Sequence, residues 1–185
     1  MLNAFRWRVI GVIALGTLVA AGTTLGALIG SHPRPSGGAV AWTESVWNLP
    51  LDNWGQGRVW QTSGADGTAV SLFARTKTGF CNCFNGIADD TEIDRIGDVD
   101  LHGDNFTPIA PGRVTAIGDL PGRERYFQAS SRWSGNRHVV SIVAASDCKA
   151  VVATLVSDRP ISPAAEASAV ALLAGDSFRY WAANQ

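Results

Sequence analysis

The chain has 185 residues, enough for one domain with a sizeable hydrophobic core. It is 46% apolar and 17% charged with seven Trp and seven Phe, a profile that excludes intrinsic disorder. Counted from Ser31 onward there are 13 basic and 16 acidic residues, so no basic excess exists to displace counterions from a phosphate backbone, and nucleic acid is not expected as a partner.

Residues 1–8 carry Arg6 and Arg8 and read as a cytoplasmic leader. Val9 to Gly30 is a run of 22 residues without a charge, long enough as a helix to cross a hydrocarbon core of about 30 Å. The basic side stays in the cytoplasm, which sends the rest of the chain outward. The expectation is a retained signal anchor, single-pass in the inner membrane, with an extracytoplasmic domain. The competing reading is a cleaved segment, with Ala39-Val40-Ala41 before Trp42 as the small-x-small site. Gly22, Gly26 and Gly30 fall four apart on one helix face, a spacing that lets helices approach closely in lipid or is a by-product of a Gly-rich segment. Residues 31–41, with Pro33 and Pro35, read as a linker. The domain proper is assigned to 42–185.

Alternating apolar residues and turn signals predict an α+β fold, an antiparallel sheet built from hairpins with a C-terminal helix packed on it. Gly57 to Thr62 and Ala69 to Arg75 flank an Asp66-Gly67 turn. Arg113 to Ile117 and Glu124 to Ala129 form a second pair, joined through Leu120-Pro121-Gly122. His138 to Ala145 and Ala150 to Ser157 form a third, apolar enough for central strands buried on both faces. Ser162 caps a helix with Pro163 at its first position, and Ala165, Ala169, Leu172 and Leu173 share a face. Gly175 and Asp176 interrupt it, and Phe178 and Trp181 belong to a final turn. A shorter helix is expected within Asp89–Asp98.

Three cysteines lie in an expected oxidising compartment: Cys81, Cys83 and Cys148. The leading expectation is one bridge from Cys148 to Cys81 or Cys83, closing a loop of about 65 residues worth about 2–4 kcal/mol. The same thiols, with His102, are the candidates for a soft metal ion or for thiol exchange. Against that stand the absence of a CxxC pair and of any Met beyond Met1.

Seven carboxylates crowd Asp89 to Asp104 (Asp89, Asp90, Glu92, Asp94, Asp98, Asp100, Asp104). The nearest calcium pattern, Asp98-x-Asp100-x-His102-Gly103, fails the EF-hand test at His102 and at Ile109. Alternation of Val99 and Leu101 with the aspartates predicts a strand with one wet face. Arg113, Arg123, Arg125, Arg132 and Arg137 suit an outward hairpin face better than an anion pocket. Trp42, Trp47, Trp54 and Trp60 suit core and rim better than a stacking surface. No GxSxG, HExxH, GxxxxGK[ST] or GxGxxG-plus-helix pattern occurs. On a strand, His138 and Ser141 would face opposite ways. No catalytic residue and no cofactor are therefore assigned.

The stretch from Thr78 to Arg95 (TGFCNCFNGIADDTEIDR) resembles part of an uncharacterised family of bacterial envelope proteins, over about Trp47 to Gly122. That family implies the extracytoplasmic compartment and no residue roles. The strand-rich body with a late helix is also similar in its order of elements to PsbP/Mog1-like domains, a likeness that does not fix function. The reading is a membrane-anchored binding or assembly module whose partner is another envelope or membrane protein. A thiol-based metal or redox carrier is the alternative.

Overall fold

In the computed structural model, residues 40–64, 67–80, 86–132 and 135–185 are described, all within the unit Gly37–Gln185. The run 139–145 decides the layout, because Val140, Ile142 and Ala144 pack on one side of the sheet and Val139, Val143 and Ala145 on the other. A strand with both faces apolar must be covered on both.

The strands are β1 (Thr43–Ser45), β2 (Arg58–Ser63), β3 (Ala69–Phe80), β4 (Asn105–Pro108), β5 (Arg113–Ile117), β6 (Leu120–Ser131), β7 (Gly135–Ser146) and β8 (Cys148–Ser157). They form one antiparallel sheet in the order β1-β2-β3-β8-β7-β6-β4, with β5 also on β6. The third expected hairpin, β7–β8, thus sits between the first, β2–β3, and the second, β5–β6. Its central place explains why its strands are the most continuously apolar.

One face is covered by the C-terminal helices α2 (Pro163–Ala174) and α3 (Asp176–Ala183). Ala165, Ala169 and Leu173 of α2 and Phe178 of α3 meet Trp60, Leu72, Ile142, Ala153 and Leu155. The Ser162 hydroxyl accepts from the Ala165 amide at 3.2 Å, as the cap reading requires, and α3 begins where Gly175 interrupts α2. Trp42 Nε1 donates to Ser168 Oγ at 3.0 Å, tying the start of the domain to α2.

The other face is covered by α1 (Asp90–Ile96) and a 3-10 helix (Val99–His102). Ile93 and Ile96 pack on Val143, Ala145, Ala150 and Val152, and Val99 joins Trp47, Phe73 and Phe127. The Asp89 carboxylate caps α1 through the Glu92 amide at 2.9 Å.

Two expectations need correction. Val99–Leu101 is not a strand. Its buried residues are Val99 and His102, three apart, the period of a 3-10 turn. The second hairpin turns at Gly118-Asp119 and not at Leu120-Pro121-Gly122, because Ile117 already pairs with Leu120 and Gly118 takes the left-handed φ of +61°. Pro121 and Gly122 therefore lie inside β6. Gly122 is held there by close approach, since a Cβ would sit 2.3 Å from the Val143 carbonyl oxygen.

Candidate functional site

Cys81 and Cys83 lie outside the described residues, as do Val9–Gly30 with Gly22, Gly26 and Gly30. Among the described residues no helix is long and apolar enough to cross a membrane. Cys148 occupies the second position of the two-residue β7–β8 turn, between Ser146 and Lys149, which pair with each other. Asp147 (φ 50°) and Cys148 (φ 67°) are both left-handed, the conformation of a turn that usually takes Asn-Gly. Cys148 is disulfide-bonded, and across the ladder it stands opposite Phe80, the residue just before Cys81.

His102 is at the other end of the sheet. Its ring lies on Phe73 (centroids 4.9 Å apart), and Phe73 pairs with Thr154, six residues along β8 from Cys148, or about 20 Å at strand rise. Cys148 and His102 are therefore not brought together. Among the described residues no group of three or more His, Cys, Asp or Glu could hold a metal ion. His102 is buried with Nε2 unpartnered, and burial pushes its pKa down to about 4. Ser141 is fully buried beneath Gly97, on the opposite strand face from His138, so no dyad forms.

The acidic stretch is spent on structure. Asp90 accepts two bonds from the Gly112 amide (3.1 and 3.0 Å) and pairs with Arg123 at 2.7 Å. Those contacts, the amide first, hold its pKa below the ordinary carboxylate value. Asp94 pairs with Arg125 at 2.5 Å. Arg123 and Arg125 thus clamp α1 onto β6.

Asp98 is buried between two cations. Arg75 of β3 donates to it from Nε and Nη2 at 2.7 Å, and Lys77 Nζ lies 2.6 Å away. Arg75 also forks onto Asp52 at 2.6 and 2.7 Å, and Lys77 donates to the Ile96 carbonyl at 2.8 Å. Two positive and two negative groups balance, so the guanidinium remains charged despite being 1% exposed. Burial opposes its charge, but the bonds to Asp98 and Asp52 hold its pKa above the usual value. This network fastens the 52–55 turn and the start of the 3-10 helix to the sheet.

A second charged group lies on the α2 face. Glu124 and Tyr126 of β6 alternate with Arg123 and Arg125 and so point the other way. Tyr126 donates to Glu166 of α2, and Arg113 reaches Glu124 at 2.5 Å, Tyr126 at 2.5 Å and Glu166 at 3.3 Å. Burial, then the neighbouring Glu166 carboxylate, push the Glu124 pKa up. Burial and Glu166 likewise raise that of Tyr126. Neither glutamate was marked by sequence, where Glu166 reads as an ordinary first-turn acid. The alternation along β6, which turns Glu124 away from the arginines, was the available signal.

An open cleft lies elsewhere. A cleft of about 400 Å³ lies between α3 and the turns of the β5–β6 and β7–β8 hairpins. Its floor is Ile117, Leu120, Val151, Leu173 and Phe178, its α3 wall is Ala182 and Ala183, and its rim carries Asp119, Asp147, Lys149 and Arg179. The volume falls within the range of small-molecule sites, roughly 300–1,000 Å³. None of Arg113, Glu124, Tyr126 or Glu166 lines it. Comparison with known proteins found no match, either to a family model or to a curated protein.

Proposed function

We propose that the chain is an extracytoplasmic binding module, held at the outer side of the inner membrane by Val9–Gly30 and stapled by a bridge from Cys148 to Cys81 or Cys83. The cleft beside α3 is where it grips an apolar group of its ligand or partner. One observation carries this reading: a cleft of about 400 Å³ with an apolar floor lies open beside the helices that cover this face of the sheet. A tether supports it further by raising the effective concentration toward anything in or on the same membrane. The position of Cys148 opposite Phe80 supports the staple.

The thiol-carrier alternative has less behind it. Cys148 is bonded and so offers no thiolate, and His102 is at the far end of β8. The tightly paired glutamates do not favour an enzyme either, since Arg113 and Tyr126 already occupy them.

The test places a photoreactive phenylalanine at position 183, an exposed residue of the cleft wall, in the full chain in its native membrane. A discrete adduct that disappears when Ala182→Trp fills the cleft supports the reading. Adducts indifferent to Ala182→Trp would sink it. Intact mass measured before and after reduction tests the staple, with one bridge and one free thiol expected.

A further inference from the structure

We propose that Glu124 of β6 and Glu166 of α2 share a single proton, and that this proton latches the first turns of α2 to the sheet. The latch goes beyond the binding-module reading and does not depend on it.

The geometry sets one cation against two acids. Arg113 Nη2 lies 2.5 Å from Glu124 Oε1 and 3.3 Å from Glu166 Oε1. Arg113 Nε also donates to Glu124 Oε1, at 2.8 Å. Both of its bonds to Glu124 therefore fall on one oxygen, which leaves Oε2 to carry a proton. The Glu124 and Glu166 carboxyls are hydrogen-bonded to each other, and two carboxyls form such a bond only with a proton on one of them. Tyr126 does not supply it, because its hydroxyl hydrogen is directed at Glu166 Oε2.

The surroundings do not offset a second negative charge. On β7, Ile142 and Val140 stand opposite Glu124 and Tyr126. Arg123 and Arg125 of β6 bond to α1 on the other face, and Arg179 of α3 pairs with Asp119. The Glu124 and Glu166 side chains are 8% and 13% exposed, so water screens an excess charge there poorly.

With the proton in place, Arg113, Glu124, Tyr126 and Glu166 join β5, β6 and α2 through one set of hydrogen bonds. Without it, two like charges face each other across the contact between β6 and α2. The raised Glu124 pKa gives the sign: the latch is closed on the acid side and opens as pH rises. The turns it holds include Ser168, whose hydroxyl accepts from Trp42 at the start of the domain.

The chain has four glutamates, Glu44, Glu92, Glu124 and Glu166, so carboxyl-labelled glutamate NMR of the full chain in neutral detergent reads the pair directly. Glu124 and Glu166 are expected to titrate together in two steps, with the upper step above 4.5. In Glu166→Gln, where Arg113 faces a single carboxylate, Glu124 should return to one step on the acid side of that upper one. Hydrogen exchange of residues 164–168, corrected for the intrinsic effect of pH, reads the latch. Protection should fall about tenfold through the upper step, the equivalent of one pKa unit of coupling. Glu124→Gln should hold protection level over the same range, and Glu166→Gln makes the same test should the first variant misfold.

Titration of Glu124 in one step at or below 4.5, unchanged by Glu166→Gln, overturns the shared proton. Protection that stays level through the upper step in the wild type, or falls equally in the variants, overturns the latch.

Discussion

Acidification should loosen this domain through His102 before its carboxylates are protonated. The ring is 6% exposed and stacked on Phe73, and its Nε2 has no hydrogen-bond partner. Burial is the largest influence on its pKa, Asp98 opposes it, and Arg137 adds to it, leaving a value of about 4 against an ordinary 6.5. That difference corresponds to about 3 kcal/mol. A depressed folded pKa contributes stability that is full above pH 6.5 and is lost as pH falls through about 4. Replacing the ring by Leu removes the titration while keeping an apolar side chain over Phe73. Urea unfolding of the full chain in neutral detergent, from pH 7 to pH 4, is the assay. The wild type should lose about 1.4 kcal/mol per pH step below 6.5 relative to His102→Leu. Parallel curves for the two proteins, or an NMR titration of His102 centred near 6.5, would refute the burial account.

The other charged groups and the turn make separate predictions. Glu124 titrates in the opposite sense: its raised pKa contributes stability present below 4.5 and lost as pH rises through the folded value. Glu124→Gln should match the wild type near pH 4.5 and melt no lower at pH 8; a variant weakest at pH 8 would mean that the ion pair to Arg113 dominates. Asp98→Ala strands Arg75 and Lys77 in the interior and should cost about 3–5 kcal/mol in urea unfolding. Asp52→Ala should cost clearly less, because the Asp52 side chain is 38% exposed. Cys148→Ser should lose about 2–4 kcal/mol with the bridge. Cys148→Gly should lose about 1 kcal/mol less, because glycine relaxes the left-handed turn; equal losses would show that the turn stores no strain.

Much of the architecture was legible because alternation is a strong signal on long strands. The β7–β8 hairpin, the Ser162-Pro163 helix start and the break at Gly175 follow from patterns local to a few residues. Legibility failed where side-chain chemistry overrode period. Val99 and Leu101, alternating with Asp98 and Asp100, look like a strand until Asp98 is seen as the counter-ion of Arg75 and Lys77, which lie more than twenty positions earlier in sequence. Pro121 and Gly122 look like a turn until the neighbouring strand requires a residue without a Cβ at 122. The cleft left no trace in the sequence because it is formed by small residues. Ala182 and Ala183 are ordinary helix formers, and only the approach of two distant turns makes their size matter. The Glu124–Glu166 contact joins residues 42 positions apart, a distance across which no periodic pattern speaks.

The cleft has one bland explanation, a packing gap left by small residues on a terminal helix, and a single substitution separates it from a binding site. A gap that serves nothing can be filled with profit to the fold. Ala182→Leu places three more carbons against Phe178 and Leu173, so stability should rise by about 1 kcal/mol, as cavity-filling substitutions commonly give. The same change removes room for about three methylene groups of any bound chain. A binding site therefore predicts opposite signs: higher thermal stability of the free chain and weaker crosslinking from position 183. A packing gap predicts the gain in stability alone, with crosslinking from position 183 at background in both proteins. Loss of stability would mean that α3 already sits as close to the sheet as its methyls allow, and that the space is an open surface rather than a cleft.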